Sequence, residues 1–257
     1  MMTVDMYKDQ HKALMEKWKE KRNAKINGFA EDGIVSPEKW FALPAKEERI
    51  MILLKEAYAK EDAKSEKKLV WSEAKWLAHE ICMEDCGKDC EKCKITGSTF
   101  NPVAEWIYGI VNATDGELKA YDNWLGVTSR KNKEYCAARD SWLARAAIVN
   151  VKKSGGVSKS AYEDIKHYAE QDREYLIEQI ELIKPTVIVC GGTYEMLCCI
   201  YPELNALPHT GNGATMLGNI KVIASCHPNH HIKNEHKYNN VVGNYIDLLR
   251  QGKPAEQ

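Results

Sequence analysis

Four short segments far apart in the chain are almost wholly apolar: "RIMILLK" (49–55), "AAIVNV" (146–151), "TVIVCG" (186–191) and "IKVIASC" (220–226). None alternates apolar with polar residues. A continuous apolar run of this length belongs to a strand covered on both faces, the situation of parallel strands between helical layers. Helical patterns separate the four runs. One is expected from about Ala161 to Lys184, with Ser160 and Glu163 at capping-box spacing and Pro185 as its stop. Another covers residues 4–25, where Met6, Ala13, Leu14 and Trp18 can share a face. Strand–helix–strand alternation predicts an α/β fold of three layers, α/β/α, around a central, mostly parallel four-stranded sheet.

The 257 residues suffice for one large core. We expect a helical N-terminal extension over 1–45 and one α/β/α domain over 46–257, with a cysteine-containing insertion at about 82–140. The net charge of −1 gives no global field that would attract nucleic acid, although a local basic face is compatible with it. There is no apolar run of about 18 residues for a membrane span, and the first residues lack the apolar core of a signal peptide. The expected compartment is the cytoplasm, where thiols stay reduced. Of nine Cys, four cluster in "CMEDCGKDCEKC": Cys82, Cys86, Cys90 and Cys93. That spacing among charged residues suits a structural Zn²⁺ or an iron–sulfur cluster. Cys86, Cys90 and Cys93 also have the spacing of a radical-type iron–sulfur site.

Ligands of open α/β sheets bind beyond the carboxyl ends of the strands. Lys55, Glu56, Ala57 and Tyr58 follow the first run. Asn150 interrupts the second, and "KKSGG" closes it. Gly191 and Gly192 end the third, and His227, Pro228 and Asn229 follow the fourth. Asn150 sits where an unsatisfied amide would be costly. Its structural role would be to tie down a neighbouring loop. Its functional role would be to offer a donor and an acceptor to a planar ligand. The Lys, Ser and Gly of "NVKKSGGVSKS" suit a phosphate backbone.

Together these strand ends resemble the uracil-DNA glycosylase superfamily, and most closely its branch with a Gly-Glu-Ala-Pro-Gly first motif. The first motif here is "LLKEAYAKED", the second "IVNVKKSGG" and the last "ASCHPNHH". "LIEQIELIKPTVIVCGG" is similar to the family's penultimate helix and strand, and "NNVVGNYIDLLRQ" to its closing helix. The resemblance covers about 46–82 and 145–250. It implies a monofunctional DNA glycosylase that flips uracil or a modified pyrimidine out of the duplex, in DNA repair or in attack on modified foreign DNA. The enzyme would hydrolyse the N-glycosidic bond and leave an abasic site.

By the same resemblance, Glu56, Asn150 and His227 would be catalytic. Glu56 would handle water and the cationic sugar, Asn150 would read the base edge, and His227 would hydrogen-bond the departing base. Tyr58, Trp71, Asn150 and Asn229 would bind substrate, and Lys152, Lys153, Ser154 and Lys159 the DNA backbone. The chemistry requires no cofactor, and a monomer would suffice. The first motif departs from the family: Lys55 replaces its first Gly, Tyr58 its Pro and Ala59 its last Gly. The alternative is a nucleic-acid-binding protein that kept the fold and lost catalysis.

Overall fold

The computed structural model describes residues 2–22, 29–62, 65–69, 97–113, 116–121, 133–156, 161–211 and 213–251. All four apolar runs are strands: β2 (Ile50–Asp62), β4 (Ala147–Gly156), β5 (Val187–Gly191) and β7 (Ile220–Ser225). They lie side by side in the order β4-β2-β5-β7, each parallel to its neighbour. The sheet is wider than the expected four strands and only partly parallel. The two-residue β1 (Gly33–Ile34) pairs antiparallel with β4, and β6 (Ala214–Leu217) pairs antiparallel with β7, giving six strands. In addition, β3 (Ser65–Leu69) folds back antiparallel on the far part of β2. These extra strands are short or polar, so none carries the buried-strand pattern.

Two helical layers cover the sheet. Met51, Leu53, Val149, Val151, Ile188, Cys190 and Val222 pack against one layer. It contains α1 (Val4–Arg22), α2 (Pro37–Ala42), α5 (Tyr162–Gln171), α6 (Arg173–Ile183) and α7 (Tyr194–Ile200). Ile50, Ile52, Leu54, Ile148, Val187, Val189 and Ile223 pack on the other face against α3 (Gly97–Asn112), α4 (Lys133–Leu143) and α8 (Asn234–Gln251). Alternate residues of each strand thus feed alternate cores, which is why the runs read as continuously apolar.

Helix α1 belongs to the first core. Its inward stripe is Tyr7, His11, Leu14, Met15 and Trp18, spaced three or four apart. Trp18 is fully buried and stacks on Tyr175 with ring centroids 5.3 Å apart. The expected face was offset: Met6 is 46% exposed and Ala13 is also exposed. The long helix expected over 161–184 is two helices broken at Asp172. That fully buried carboxylate receives Arg22 of α1 at 2.7–2.8 Å, so a tertiary ion pair anchors the break. Ser160 lies outside the described residues, and the N-cap is Ala161, which makes no side-chain cap. Lys184 ends α6 in the left-handed conformation. No described helix is long and apolar enough to cross a membrane.

Candidate active site

Along the sheet, the parallel strands come second, first, third and fourth in chain order. The connections therefore leave β2 in opposite directions, and the switch point lies between β2 and β5, where open α/β sheets form their ligand crevice. Register fixes what meets there. Asn150 of β4 sits beside Leu54 of β2, and Lys152 beside Glu56. Leu53 sits beside Cys190, Cys190 beside Ala224, and Gly191 beside Ser225. β2 carries Glu56 two residues past Leu54, and His227 lies two residues past the end of β7. Asn150 lies one strand to the other side of β2 and two residues lower. Strand alternation puts Asn150 on the face of Ile148, Ile52 and Leu54, whereas Glu56 meets Lys152, which reaches α5 in the other layer.

Glu56 is not on a solvated loop, because β2 continues through it to Asp62. Its side chain is 5% exposed and lies 3.1 Å from Lys152 Nζ. Lys152 also reaches Asp164 Oδ2 at 2.6 Å and lies over the Tyr168 ring. Burial pulls its ammonium pKa down, but the bonds to Asp164 and Glu56 outweigh that and raise it. One cation is therefore shared by two carboxyl groups, and it does not face a DNA phosphate. Lys153 is a clearer correction. It is 1% exposed, bound to Asp32 Oδ1 and to Gln179 Oε1 at 2.9 Å, and sits over Trp18. Period-two alternation turns it into the first core, out of reach of a nucleic acid. Ser154 donates to the Tyr168 hydroxyl at 3.2 Å.

Asn150 does what its structural reading expects. Its backbone N–H and its Nδ2 donate to Asp32 Oδ2 at 2.8 and 3.0 Å. This ties the segment before β1 to β4. It uses one of the two Nδ2 hydrogens, and Oδ1 has no hydrogen-bond donor among the described residues.

His227 accepts the backbone N–H of Asn229 on Nδ1 at 3.1 Å, so the neutral ring carries its proton on Nε2. Burial, then Lys55, Lys237 and His230, push its pKa down to about 4. The loop around it is fixed by buried Lys237 of α8, whose ammonium donates to the Pro228 and His230 carbonyls at 2.5 and 3.1 Å. Gly192 has φ of +73°, and a Cβ there would lie 3.2 Å from the His227 nitrogen and 3.5 Å from Lys55 Cε. Glycine therefore lets Lys55 and His227 close on the strand end. At Gly191 a Cβ would meet Leu54 Cδ2 at 2.8 Å and Pro228 Cδ at 3.1 Å. Asn229 is exposed, as are His230, His231, Lys233 and His236.

Tyr58 lies within β2, paired with Gly156. Trp71, Lys159 and the cluster Cys82, Cys86, Cys90 and Cys93 lie outside the described residues. Among the described residues, no group of three or more His, Cys, Asp or Glu could hold a metal ion. Sequence reasoning missed Asp32 and Lys237. Neither lies at the end of an apolar run, and both act through residues distant in the chain. No known protein-family model matches this chain, and no curated protein matches it.

Proposed function

We propose that this chain hydrolyses the N-glycosidic bond of uracil or a modified pyrimidine swung out of DNA, leaving an abasic site. What supports this reading is that Glu56 and Asn150 lie on neighbouring parallel strands and that His227, a neutral imidazole, follows a third strand at the same end of the sheet. Bond cleavage puts positive charge on the sugar and negative charge on the leaving base. Glu56 opposes the first, and the Nε2–H of His227 opposes the second by donating to the base oxygen. Fixed groups do this best in a site that excludes water. Asn150 pairs with the base edge, and water completes the hydrolysis. No cofactor enters these steps, and one chain supplies every group.

Tyr58 and Trp71 are the aromatic candidates for contact with the flipped base. Tyr58 stands where the resembled motif has Pro, which favours a base with an altered substituent over plain uracil. The DNA grip moves from Lys152 and Lys153 to the exposed segment after β7, which offers His230, His231, Lys233 and His236. The cysteine cluster would have a structural role, holding Zn²⁺ or an iron–sulfur cluster.

One observation favours the second reading, an inactive nucleic-acid-binding protein. Lys152 lies against Glu56 and withdraws part of the carboxylate's charge from the sugar. Incubation with oligonucleotides carrying a panel of uracil and modified pyrimidines, followed by alkaline cleavage, separates the two. Strand breaks that disappear in Glu56→Gln support the glycosylase. Tight binding of a modified duplex without any abasic product supports the binder.

A further inference from the structure

Lys55 and His227 meet over one glycine. A Cβ at Gly192 would lie 3.5 Å from Lys55 Cε and 3.5 Å from His227 Cβ, so these two carbons are at most twice that distance apart. They come from different strands, with β5 between them: Lys55 follows Leu54 on β2, and His227 follows β7. Gly192 has φ of +73°, and its N–H donates to the Ser225 carbonyl at 2.8 Å. The turn after β5 is thus fixed, and it puts no side chain between the lysine and the histidine.

Each of the two keeps a donor. Half-buried Lys55 has no ion-pair or hydrogen-bond partner among the described residues. The carboxylate next to it in the chain, Glu56, is engaged by Lys152 at 3.1 Å. His227 accepts the Asn229 N–H on Nδ1, which leaves the proton on Nε2, without an acceptor among the described residues. Burial is the main reason that this ring stays neutral, and Lys55 is the charge that acts on it most. The ammonium of Lys237 holds the same loop through the Pro228 and His230 carbonyls and adds positive charge behind it.

We propose that Lys55 and His227 together form an oxyanion site for a phosphate monoester. The ammonium supplies the charge and Nε2–H a directed bond, and a phosphate has oxygens enough to meet both while its ester group points away. A phosphate also answers the cost of keeping an ammonium half out of water with no counter-charge. The proposal does not rest on the glycosylase reading. In that reading Nε2–H serves the base oxygen, so a phosphate and a flipped base exclude one another. The shared chemistry is the phosphate group, whether free in solution or carried by a sugar or a nucleotide.

The test follows the His227 ring protons by NMR at constant ionic strength during titration with inorganic phosphate, deoxyribose 5-phosphate, thymidine 5′-monophosphate and thymidine. The three phosphates should shift the ring saturably, and thymidine should not. Saturating phosphate should raise the His227 titration by about one unit or more, because an anion favours the imidazolium. Lys55→Met should weaken phosphate binding by about tenfold or more, and Lys55→Arg should restore most of it. Lys55→Gln is read in the same way if Lys55→Met does not fold. The tightest of the three phosphates names the source: free phosphate, sugar phosphate or nucleotide.

Equal phosphate affinity in wild type and in folded Lys55→Met overturns the proposal, as does a wild-type ring that no phosphate shifts. Base release from DNA separates this from the glycosylase reading. Release that phosphate inhibits competitively supports both. Release with no effect of phosphate on His227 leaves the glycosylase and removes the oxyanion site, and phosphate binding without any base release does the opposite.

Discussion

At the amino end of the parallel strands, Glu48 accepts from Thr186 Oγ1 at 2.5 Å, Lys221 Nζ at 2.9 Å and Tyr245 OH at 2.9 Å. These partners come from the starts of β5 and β7 and from α8, and each group is used by another. Burial raises the Glu48 pKa, but the three hydrogen bonds more than offset this and hold it below the usual carboxylate range. At the carboxyl end the groups are also buried and bonded, yet several keep a free function among the described residues. His227 keeps its Nε2–H, Asn150 its Oδ1, and Lys55 an ammonium without an ion-pair partner. Closed networks hold strands together, whereas networks with one function left over can hold a ligand. The chemical residue types are similar at the two ends, and what differs is whether the bonding closes.

The largest effect should come from swapping a substitution between the ends. Glu56→Gln should lower base release by about 10²–10⁴-fold, the usual size of a lost charge-stabilising or acid–base group. The Glu56 ion pair with Lys152 is at least as buried as that of Glu48 with Lys221, so the variant's melting temperature should fall too, and equal turnover at a temperature where both proteins are folded would remove Glu56 from the site. Glu48→Gln should cost stability alone. Breaking a buried, multiply bonded ion pair costs about 3 kcal/mol, which for a chain of this size is about 6–12 °C in Tm. Turnover below the melting range should be unchanged. A Glu48 variant that melts normally but loses activity would break the comparison.

A smaller effect separates buried from exposed cations. Lys153→Met should leave the salt dependence of DNA binding unaltered, because its ammonium is closed inside the Asp32 network. Lys233→Ala, on the exposed segment after β7, should reduce the slope of log affinity against log salt by about 1. The opposite pattern in a binding titration would restore Lys153 to the DNA surface.

The four parallel strands were legible because two-sided burial leaves an unbroken apolar run, the strongest local signature a strand can have. The placing of Glu56, Asn150 and His227 at one end of the sheet was legible for the same reason: the end of each run marks a sheet edge. Lys153 was misread because "KK" carries no sign of which lysine faces the core. Alternation decides that, and it needs the register of Val149 and Val151. Asp32 was invisible because its meaning lies in partners far along the chain, at Asn150, Lys153 and Gln179. Asp172 broke an expected helix for a like reason, since the Arg22 that anchors it comes from α1. Local pattern reports burial well, and it reports the pairing of polar groups hardly at all.

The smallest effect tests whether the open end is electrostatically tuned. His227 has a folded pKa of about 4 against about 6.5 for an unperturbed imidazole. Burial is the largest cause, and Lys55 on β2, Lys237 on α8 and His230 in its own loop add to it. The unfolded chain therefore binds the extra proton first. The stability held by the neutral ring is complete above about pH 6.5 and drains away as pH falls from there towards 4. Glu48 loses its contribution only at lower pH, as the medium falls through its own depressed value. His227→Asn should flatten the melting-temperature profile between pH 6.5 and 4 and leave it unchanged above pH 7. Removing one contributing cation by Lys55→Met should move the His227 titration, followed by its ring-proton NMR shifts, upward by less than about one unit, with burial still keeping it below 6.5. If Lys55→Met leaves the titration where it was, Lys55 does not act on the imidazole. The imidazole would then be held down by burial, Lys237 and His230, and the Lys55 ammonium would be left over for a ligand.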